Sequence, residues 1–432
     1  MRIAVWHNLP SGGGKRALYD HVRGLVARGH HVESWCPPTA DQKFLPIGDL
    51  VLEHIVPLDT FERRSWRKFA ARLSGGGTLI PARLKALDRH SQLCAEEMNR
   101  RSFDVVLAGS SMLFHVTSLG RYVRGPALLY LGEPYRLLYE ASHRHQEPYR
   151  RLYEAMPRLP WAALDCPEGF QFSAVYDRLY DAILVRGLRI LAREELAGVQ
   201  AYDRVLANSY FSRESMLRAY GIDAEVCYLG VDTERYKDMG LARKRIVMGI
   251  GAFVPSKRVE VVIEAVAQIR PPRPALAWIG DSEDPRYLRQ LVELAKRRGV
   301  AFTPYQNISD QEVVRLLNEA AVMAYAPRLE PFGYAPLEAA ACGLPVVAQA
   351  EGGVRETVID GETGLLVGNH SELHCALQRI LEDEGLARRL GTAARRHVES
   401  AWSLSAATDR LESHLFDLVE GKDRPPLDEP EA

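Results

Sequence analysis

Short apolar runs alternate with longer amphipathic ones along this chain, and they do so in two separate series. That alternation restricts the fold more than any other feature. Parallel strands need long crossover connections, and helices are what those crossovers are usually made of. The first series opens with the apolar strand pattern Ile3–Trp6. Residues 15–28 follow as a helix that places Leu18, Val22, Leu25 and Val26 on one face. Gly29 stops that helix, and Val32–Cys36, Phe103–Ala108, Ala127–Leu131 and Arg204–Ala207 read as further strands. A second series begins with strand Ile246–Ile250. It continues through helix 258–269, strand Ala275–Ile279, helix 285–298, strand Ala301–Thr303, helix 309–320 and strand Val322–Ala326. Helix 336–342 and strand Pro345–Ala348 come next, then helical patterns at 371–382, 385–398 and 404–419. The pattern predicts an α/β protein with two nucleotide-fold halves, 1–228 and 229–403. Their junction falls in 229–244, where apolar periodicity lapses. Residues 133–200, rich in Tyr and Arg, interrupt the first half as an insertion. The polar, Pro-rich tail 421–432 reads as disordered.

A length of 432 residues exceeds one ordinary core and suits two domains. Hydrophobic content of 47% with 26% charged residues fits a soluble globular enzyme. The net charge of −1 predicts no nucleic-acid partner, although the N-terminal half is mildly basic and the remainder mildly acidic. The six cysteines are scattered without any C-x-x-C pair, which argues against zinc and for reduced cytoplasmic thiols. No apolar run approaches the roughly 20 residues that span a bilayer. The N-terminus enters a strand pattern directly, without a signal peptide's apolar stretch, so a cytoplasmic location is expected.

The densest chemistry lies in the run Glu330-Pro331-Phe332-Gly333-Tyr334-Ala335-Pro336-Leu337-Glu338. It reads as a loop carboxylate, a Gly turn, and a second carboxylate in the first turn of a helix. Pro336 suits the first helical position, where its missing N–H costs nothing. Gly343 suits the stop, with Pro345 beyond it. Free amides at such a helix start hold anions, and the two carboxylates can grip sugar and ribose hydroxyls. Phosphate, ribose and hexose together describe a nucleotide-sugar.

Four other segments carry candidate chemistry. Ser11-Gly12-Gly13-Gly14 follows the first strand and reads either as a phosphate-approaching loop or as an ordinary flexible turn. It is no Walker A loop, since Arg16 stands where Ser or Thr would bind magnesium, and no dinucleotide fingerprint, since Ala17 fills the third Gly position. Lys257 lies at the carboxyl end of a strand, where a cation can neutralise a leaving diphosphate. Asp281-Ser282-Glu283-Asp284 reads as acidic residues suiting a helix start rather than as a metal site, and no metal is expected. Residues 61–73 form a basic amphipathic pattern containing Arg63, Arg64, Trp66, Arg67, Lys68 and Phe69. Such a helix either packs its apolar stripe on the core or touches an anionic membrane or an acceptor. His115, His143 and His145 have no partner in the sequence to make them bases.

Taken in order, these motifs resemble the family-4 retaining glycosyltransferases. The resemblance rests on Gly12-Gly13, Ala207-Asn208-Ser209, Gly230-Val231-Asp232, Lys257, and Glu330 through Glu338. It continues through Gly343-Leu344-Pro345-Val346-Val347, Gly352-Gly353 with Glu356, and Asp360-Gly361 with Thr363-Gly364. It implies the GT-B fold, with two Rossmann-like domains facing across a cleft and the helix 404–420 crossing back to the N-terminal domain. It implies that Glu330 contacts donor sugar hydroxyls, that the amides of Phe332, Gly333, Tyr334 and Ala335 hold sugar and diphosphate, and that Glu338 binds ribose. It also implies that Lys257 meets the diphosphate and that the Gly12-Gly13 amides close over the donor. Two positions depart from the family's pattern: Ala252 replaces a frequent Arg, and Gly132 a frequent His. Arg258 or Arg328 are the candidates for the missing cation, and Glu133 for the missing group beside the reacting sugar. The expected activity is retaining hexose transfer to a glycan or glycolipid hydroxyl, without a cofactor or metal, in surface polysaccharide or glycoconjugate synthesis. The alternatives are an inactive partner subunit or a disaccharide phosphorylase of the same fold.

Overall fold

The computed structural model describes residues 1–58, 80–112, 114–139, 172–282 and 284–421. The basic segment 61–73, His143 and His145, Glu283 and the tail beyond Gly421 lie outside the described residues. The chain divides into two compact units. The first comprises Met1–Leu206, Ser215–Glu225 and the chain from His414 onward, and the second comprises Ala207–Glu214 and Val226–Ser413.

The first unit is built on strands β1 (Arg2–Asn8), β2 (His31–Cys36), β3 (Leu52–Ile55), β4 (Val105–Ser111), β5 (Ala127–Tyr130), β6 (Arg204–Ala207) and β7 (Glu225–Val226). They lie in the order β3-β2-β1-β4-β5-β6-β7, and the pairs from β3 to β6 are parallel. Helices α1 (Gly13–Ala27), α2 (Ile80–Arg101), α3 (Arg136–Tyr139), α4 (Phe172–Val199) and α5 (Tyr210–Tyr220) supply connections. Because β1 is flanked by β2 and β4, the strand order reverses at its carboxyl end, which is where open α/β sheets bind ligands.

The second unit carries β8 (Ile246–Ile250), β9 (Ala275–Ile279), β10 (Phe302–Tyr305), β11 (Val322–Tyr325), β12 (Val346–Gln349) and β13 (Gly364–Val367). Their order is β10-β9-β8-β11-β12-β13, all parallel. Around them lie α6 (Val259–Gln268), α7 (Pro285–Arg298), α8 (Asp310–Glu319), α9 (Tyr334–Ala341), α10 (Val354–Thr357), α11 (Leu373–Glu382) and α12 (Glu384–Ala401). Val247, Leu276 and Val322 from the strands meet Val262, Ile263, Leu291, Leu377 and Leu390 from the helices in one core. A last helix, α13 (Leu404–Val419), follows Trp402. Here the reversal lies between β8 and β11, so the loops 251–257 and 326–333 emerge side by side. No helix among the described residues is long and apolar enough to cross a membrane.

Of the elements that escape the sequence pattern, three do so for identifiable reasons. β3 is an edge strand with its polarity inverted: Leu52 and Ile55 are 61% and 55% exposed, while Glu53 points inward to His7 at 3.0 Å. α2 places polar residues on its buried face. Its His90 accepts from Trp6 Nε1 at 3.2 Å, and its Ser91 donates to Leu87 O at 2.9 Å. β13 begins at Gly364, where a Cβ would come within 2.7 Å of Val346 O.

The first unit also buries charge. His7, Cys36 and Glu53 bring one potential ligand atom each within 4.8 Å of one another. Lys15 belongs to the same cluster, fully buried, with Nζ lacking a hydrogen-bond partner among the described residues. Burial depresses its ammonium, while Glu53, Cys36 and Asp41 oppose that shift. Burial also pushes the Glu53 carboxyl up, but the His7 hydrogen bond and Lys15 hold it below the usual range. We read the group as an ionic cluster balanced by an ammonium rather than a cation site.

A second buried acid, Glu195 on α4, is 2% exposed and accepts from Tyr220 Oη at 2.6 Å and from Tyr135 N at 3.3 Å. Burial raises its pKa to about 7, although both hydrogen bonds pull it down. The folded value lies above the unfolded one, so its contribution is fully present below about pH 4.5 and is lost as pH rises through 7. Glu195→Gln is therefore expected to be more favourable at pH 8 than at pH 5, by on the order of 2–3 kcal/mol. Unfolding midpoints of both proteins at the two pH values check this.

Candidate active site

The site of the second unit starts from glycines that let an indole lie flat. A Cβ on Gly249 would come within 2.2 Å of Trp278 Cε3, and one on Gly280 within 2.0 Å of Gly251 O. Trp278 Nε1 donates to Gly251 O at 2.7 Å, which fixes the carboxyl end of β8. Gly251 (φ +154) leaves room for the Lys257 side chain, whose Cδ would lie 3.2 Å from a Cβ there. Lys257 ends a 3-10 turn, Pro255–Lys257, with Pro at its start, and Nζ reaches Glu330 Oε2 at 2.7 Å. The pair is only partly shielded, with side chains 23% and 27% exposed. Such a pair adds about 1 kcal/mol or less to stability, so its placement concerns ligands more than folding.

Glu330 sits on a loop braced from three directions. Gly353 N donates to Glu330 O at 2.8 Å, and side chains at Gly352 or Gly353 would strike Glu330 O or Pro331 O at 2.3 and 2.2 Å. Ser209 Oγ donates to Pro331 O at 2.5 Å. Glu351 accepts from Leu329 N at 3.0 Å and pairs with Arg258 at 2.8 Å. The segment bearing Ser209 is itself held, because Glu356 accepts from Tyr210 N, Phe211 N and Tyr228 Oη at 2.8, 3.0 and 2.8 Å. The motif elements Asn208-Ser209, Gly352-Gly353 and Glu356 thus act together as a mount for one loop.

After Glu330 the chain buries Phe332 against Tyr334 and Trp402, with ring centroids 5.5 and 5.8 Å apart. Gly333 then adopts a left-handed conformation (φ 96) as the N-cap of α9. This corrects the sequence expectation for the helix start. α9 begins at Tyr334, so Pro336 is its third residue and Glu338 its fifth, in the second turn rather than the first. Pro is tolerated there because the first four helical N–H groups have no intrahelical acceptor. Glu338 is 4% exposed. Cys342 caps the other end and Gly343 turns left-handed at φ 65, as the sequence suggests.

The structure brings Lys257, Arg258, Arg328, Glu330, Phe332, Gly333, Tyr334, Ala335 and Glu338 into this unit, on the loops after β8 and β11 and the start of α9. Arg258 is not a free cation: it is engaged by Glu351 and by Gln349 at 3.1 Å. Arg328 is exposed, with its amide donating to Ser256 O at 2.8 Å. Gly12, Gly13 and Glu133 belong to the first unit, where Gly12 (φ 134) caps α1 and Glu133 follows β5. His115 packs on Tyr135 with centroids 4.8 Å apart. Asp284 is a helix cap, accepting from Arg286 N at 2.9 Å. Sequence reasoning missed Trp278, Glu351 and Tyr325. For Trp278 the nearby Gly280 was an available signal. For Glu351 there was none, since its partner Arg258 is remote in sequence.

Residues 233–397 match the family described as glycosyl transferases group 1. Among curated proteins, the chain is 31% identical over 259 residues to the D-inositol 3-phosphate glycosyltransferase of Streptomyces bingchenggensis, covering 51% of this chain and 54% of that one. It is 32% identical over 249 residues to the protein of the same description from Kribbella flavida, covering 51% and 58%. The chain spans about half the length of the curated relatives it matches. Among solved structures it resembles Anabaena Alr3699/HepE in complex with UDP, with a TM-score of 0.66, 18% identity, and coverage of 96% and 100%. It also resembles the sucrose-phosphate synthase of Thermosynechococcus elongatus, with a TM-score of 0.67, 19% identity, and coverage of 98% and 100%. Those structural likenesses show the fold alone.

Proposed function

We propose that the chain, which has the GT-B fold, is a group 1 glycosyltransferase, and that it moves a hexose from a nucleotide-sugar to a hydroxyl of a glycan or glycolipid, with retention and without a metal. The observation that carries this reading is the Lys257–Glu330 pair, 2.7 Å apart, beside the capping Gly333 and the amide-bearing start of α9. A carboxylate suited to sugar hydroxyls and a cation suited to phosphate stand at the reversal of the strand order. The curated relatives are glycosyltransferases, and Alr3699/HepE was solved with UDP, which agrees with a nucleotide-sugar donor.

In the proposed reaction the bond between the anomeric carbon and the diphosphate breaks, leaving an oxocarbenium-like sugar and a diphosphate that gains negative charge. Lys257 and the amides from Phe332 to Ala335 oppose that charge. Glu330 holds the sugar hydroxyls. The acceptor oxygen bonds to the same face of the anomeric carbon, and its proton passes to the departing phosphate oxygen. No protein nucleophile is needed. Positive charge from Lys257 and the helix start takes the place a metal would fill.

A purified chain incubated with UDP-, GDP-, ADP- and dTDP-sugars is expected to be stabilised and to turn over one of them, with the rate unchanged by EDTA. Loss of turnover in chelator would overturn the metal-independent reading. A second reading, a weakly active partner subunit, has one observation in its favour: Ala252 offers no cation and Arg258 is taken by Glu351. Robust turnover by the single chain disposes of it.

A further inference from the structure

Lys257 and Glu330 each adjoin a residue in an uncommon backbone conformation. Arg258, directly after Lys257, stands at φ 50 and ψ 45, and Leu329, directly before Glu330, at φ 46. Left-handed backbone is disfavoured for any residue with a Cβ, and it persists only where the surroundings hold it. Here one side chain holds both. Glu351 Oε1 accepts from Leu329 N at 3.0 Å, and Glu351 Oε2 accepts from Arg258 Nη1 at 2.8 Å. That carboxylate is anchored in turn. Glu351 N donates to Gln349 O at 2.7 Å at the end of β12, and Ala350 N donates to Val367 O on β13 at 2.9 Å. Gln349 Oε1 also accepts from Arg258 Nη1, at 3.1 Å. The far end of the loop 326–333 is fixed by packing instead. A Cβ on Gly333 would fall 2.7 Å from Oη of the buried Tyr325.

We propose that Glu351 is a positioning residue for the transfer reaction. It clips together the two left-handed residues that flank Lys257 and Glu330, and so sets where the ammonium and the carboxylate stand. The inference rests on the donor reading above and deepens it. The direct Lys257–Glu330 contact is a weak brace, because the pair is partly exposed and a nucleotide-sugar engaging both groups competes with it. Once sugar hydroxyls meet Glu330 and the diphosphate meets Lys257, the loops after β8 and β11 keep their spacing through links the ligand does not use. Glu351 provides them from the end of β12, committing one oxygen to each loop. Without it, Arg258 and Leu329 are free to relax towards right-handed or extended backbone. A change of φ at 258 or 329 re-aims the side chain next to it. Arg258 on this account is the handle by which its loop is held, not a spare cation for the diphosphate.

Glu351→Ala is expected to lower kcat/KM by about 10- to 100-fold for the nucleotide-sugar that wild type turns over, since a misplacement of about 1 Å at a reacting site can cost on the order of 10²-fold. Glu351→Gln, with one carbonyl oxygen in place of two carboxylate oxygens, should fall between the Ala variant and wild type. In a Lys257→Met background, Glu351→Ala should cost less than about five-fold, because residues that act through one another are not additive. Arg258→Gly separates placement from folding. Glycine adopts φ 50 freely, which offsets the loss of a partly exposed ion pair. The unfolding midpoint should therefore stay within about 3 °C while kcat/KM falls about ten-fold. An undiminished cost of Glu351→Ala in the Lys257→Met background would overturn the proposal, as would parallel falls of midpoint and kcat/KM in Arg258→Gly. Tighter donor binding by Glu351→Ala would overturn it too, by showing that the freed guanidinium meets the diphosphate. Wild type that turns over no nucleotide-sugar would overturn the donor reading and this inference with it. Wild-type turnover with an unimpaired Glu351→Ala enzyme sinks only the inference.

Discussion

Lys257→Met is expected to lower kcat/KM by about 10²–10³-fold with little change in the unfolding midpoint. The magnitude is that of removing one preorganised charge-stabilising group from a reacting site. The separation of activity from stability follows from the pair's geometry. Lys257 and Glu330 are both about a quarter exposed, and a pair of that kind contributes about 1 kcal/mol or less to folding. On the proposed chemistry, the ammonium opposes charge that grows on the diphosphate only as the glycosidic bond breaks. Its loss should then fall mainly on kcat. Glu330→Gln should behave differently. The amide can still accept from sugar hydroxyls, but it no longer neutralises Lys257, so donor affinity should change more than the chemical step. Steady-state kinetics of both variants, with thermal midpoints alongside, separate the two effects. A Lys257→Met enzyme with wild-type kcat would remove Lys257 from the mechanism. Equal falls in kcat and midpoint would point to a folding role instead.

How much of this was legible before the structure depends on whether local and global signals agreed. α7 was readable to the residue because Asp284, Pro285 and Gly299 (φ 66) mark its cap, first turn and stop, and its apolar face keeps one period. β8 and β9 were readable for a similar reason, as continuous apolar runs bounded by turn residues. β3 was not, because its inward residue is Glu53 and its apolar residues face out, which inverts the pattern that defines a half-buried strand. The site divides the same way. Glu330, Glu338 and Lys257 stand out in the sequence because the spacing of unusual residue types carries chemistry. The helix start was misplaced onto Pro336 because Pro is a strong local signal, whereas the left-handed Gly333 that actually caps α9 depends on the space Tyr325 leaves. Arg258 looked like a spare cation because nothing local reveals that Glu351 occupies it. Tyr325 read as one more apolar strand residue.

Glu53→Ala is expected to destabilise the first unit by about 1–3 kcal/mol, the usual cost of removing one partner of a buried hydrogen bond. Lys15, fully buried with no hydrogen-bond partner among the described residues, also loses the field of this carboxylate. His7 loses its 3.0 Å contact in the same step. The double variant Lys15→Met with Glu53→Leu should cost less than Glu53→Ala alone, because no charge remains to be desolvated. The pH dependence has a definite sign. The Glu53 carboxyl is held below its unfolded value, so its contribution is present above about pH 4.5 and disappears as pH falls through the folded value. Burial, only partly offset by the Glu53 hydrogen bond, keeps His7 below its ordinary value, so acidification below about pH 6.5 charges the unfolded imidazole first and costs stability as well. Both groups make the first unit acid-labile; removing Glu53 should abolish the part that lies below about pH 4.5 and deepen the part below about pH 6.5, because Glu53 is what raises His7. Two units need not unfold together, so hydrogen exchange on peptides covering β1 to β3, at pH 5 and pH 7.5, is the measurement to use. If the double variant cost as much as the two single changes together, Lys15 and Glu53 would be independent of each other and the ionic cluster would have no energetic meaning.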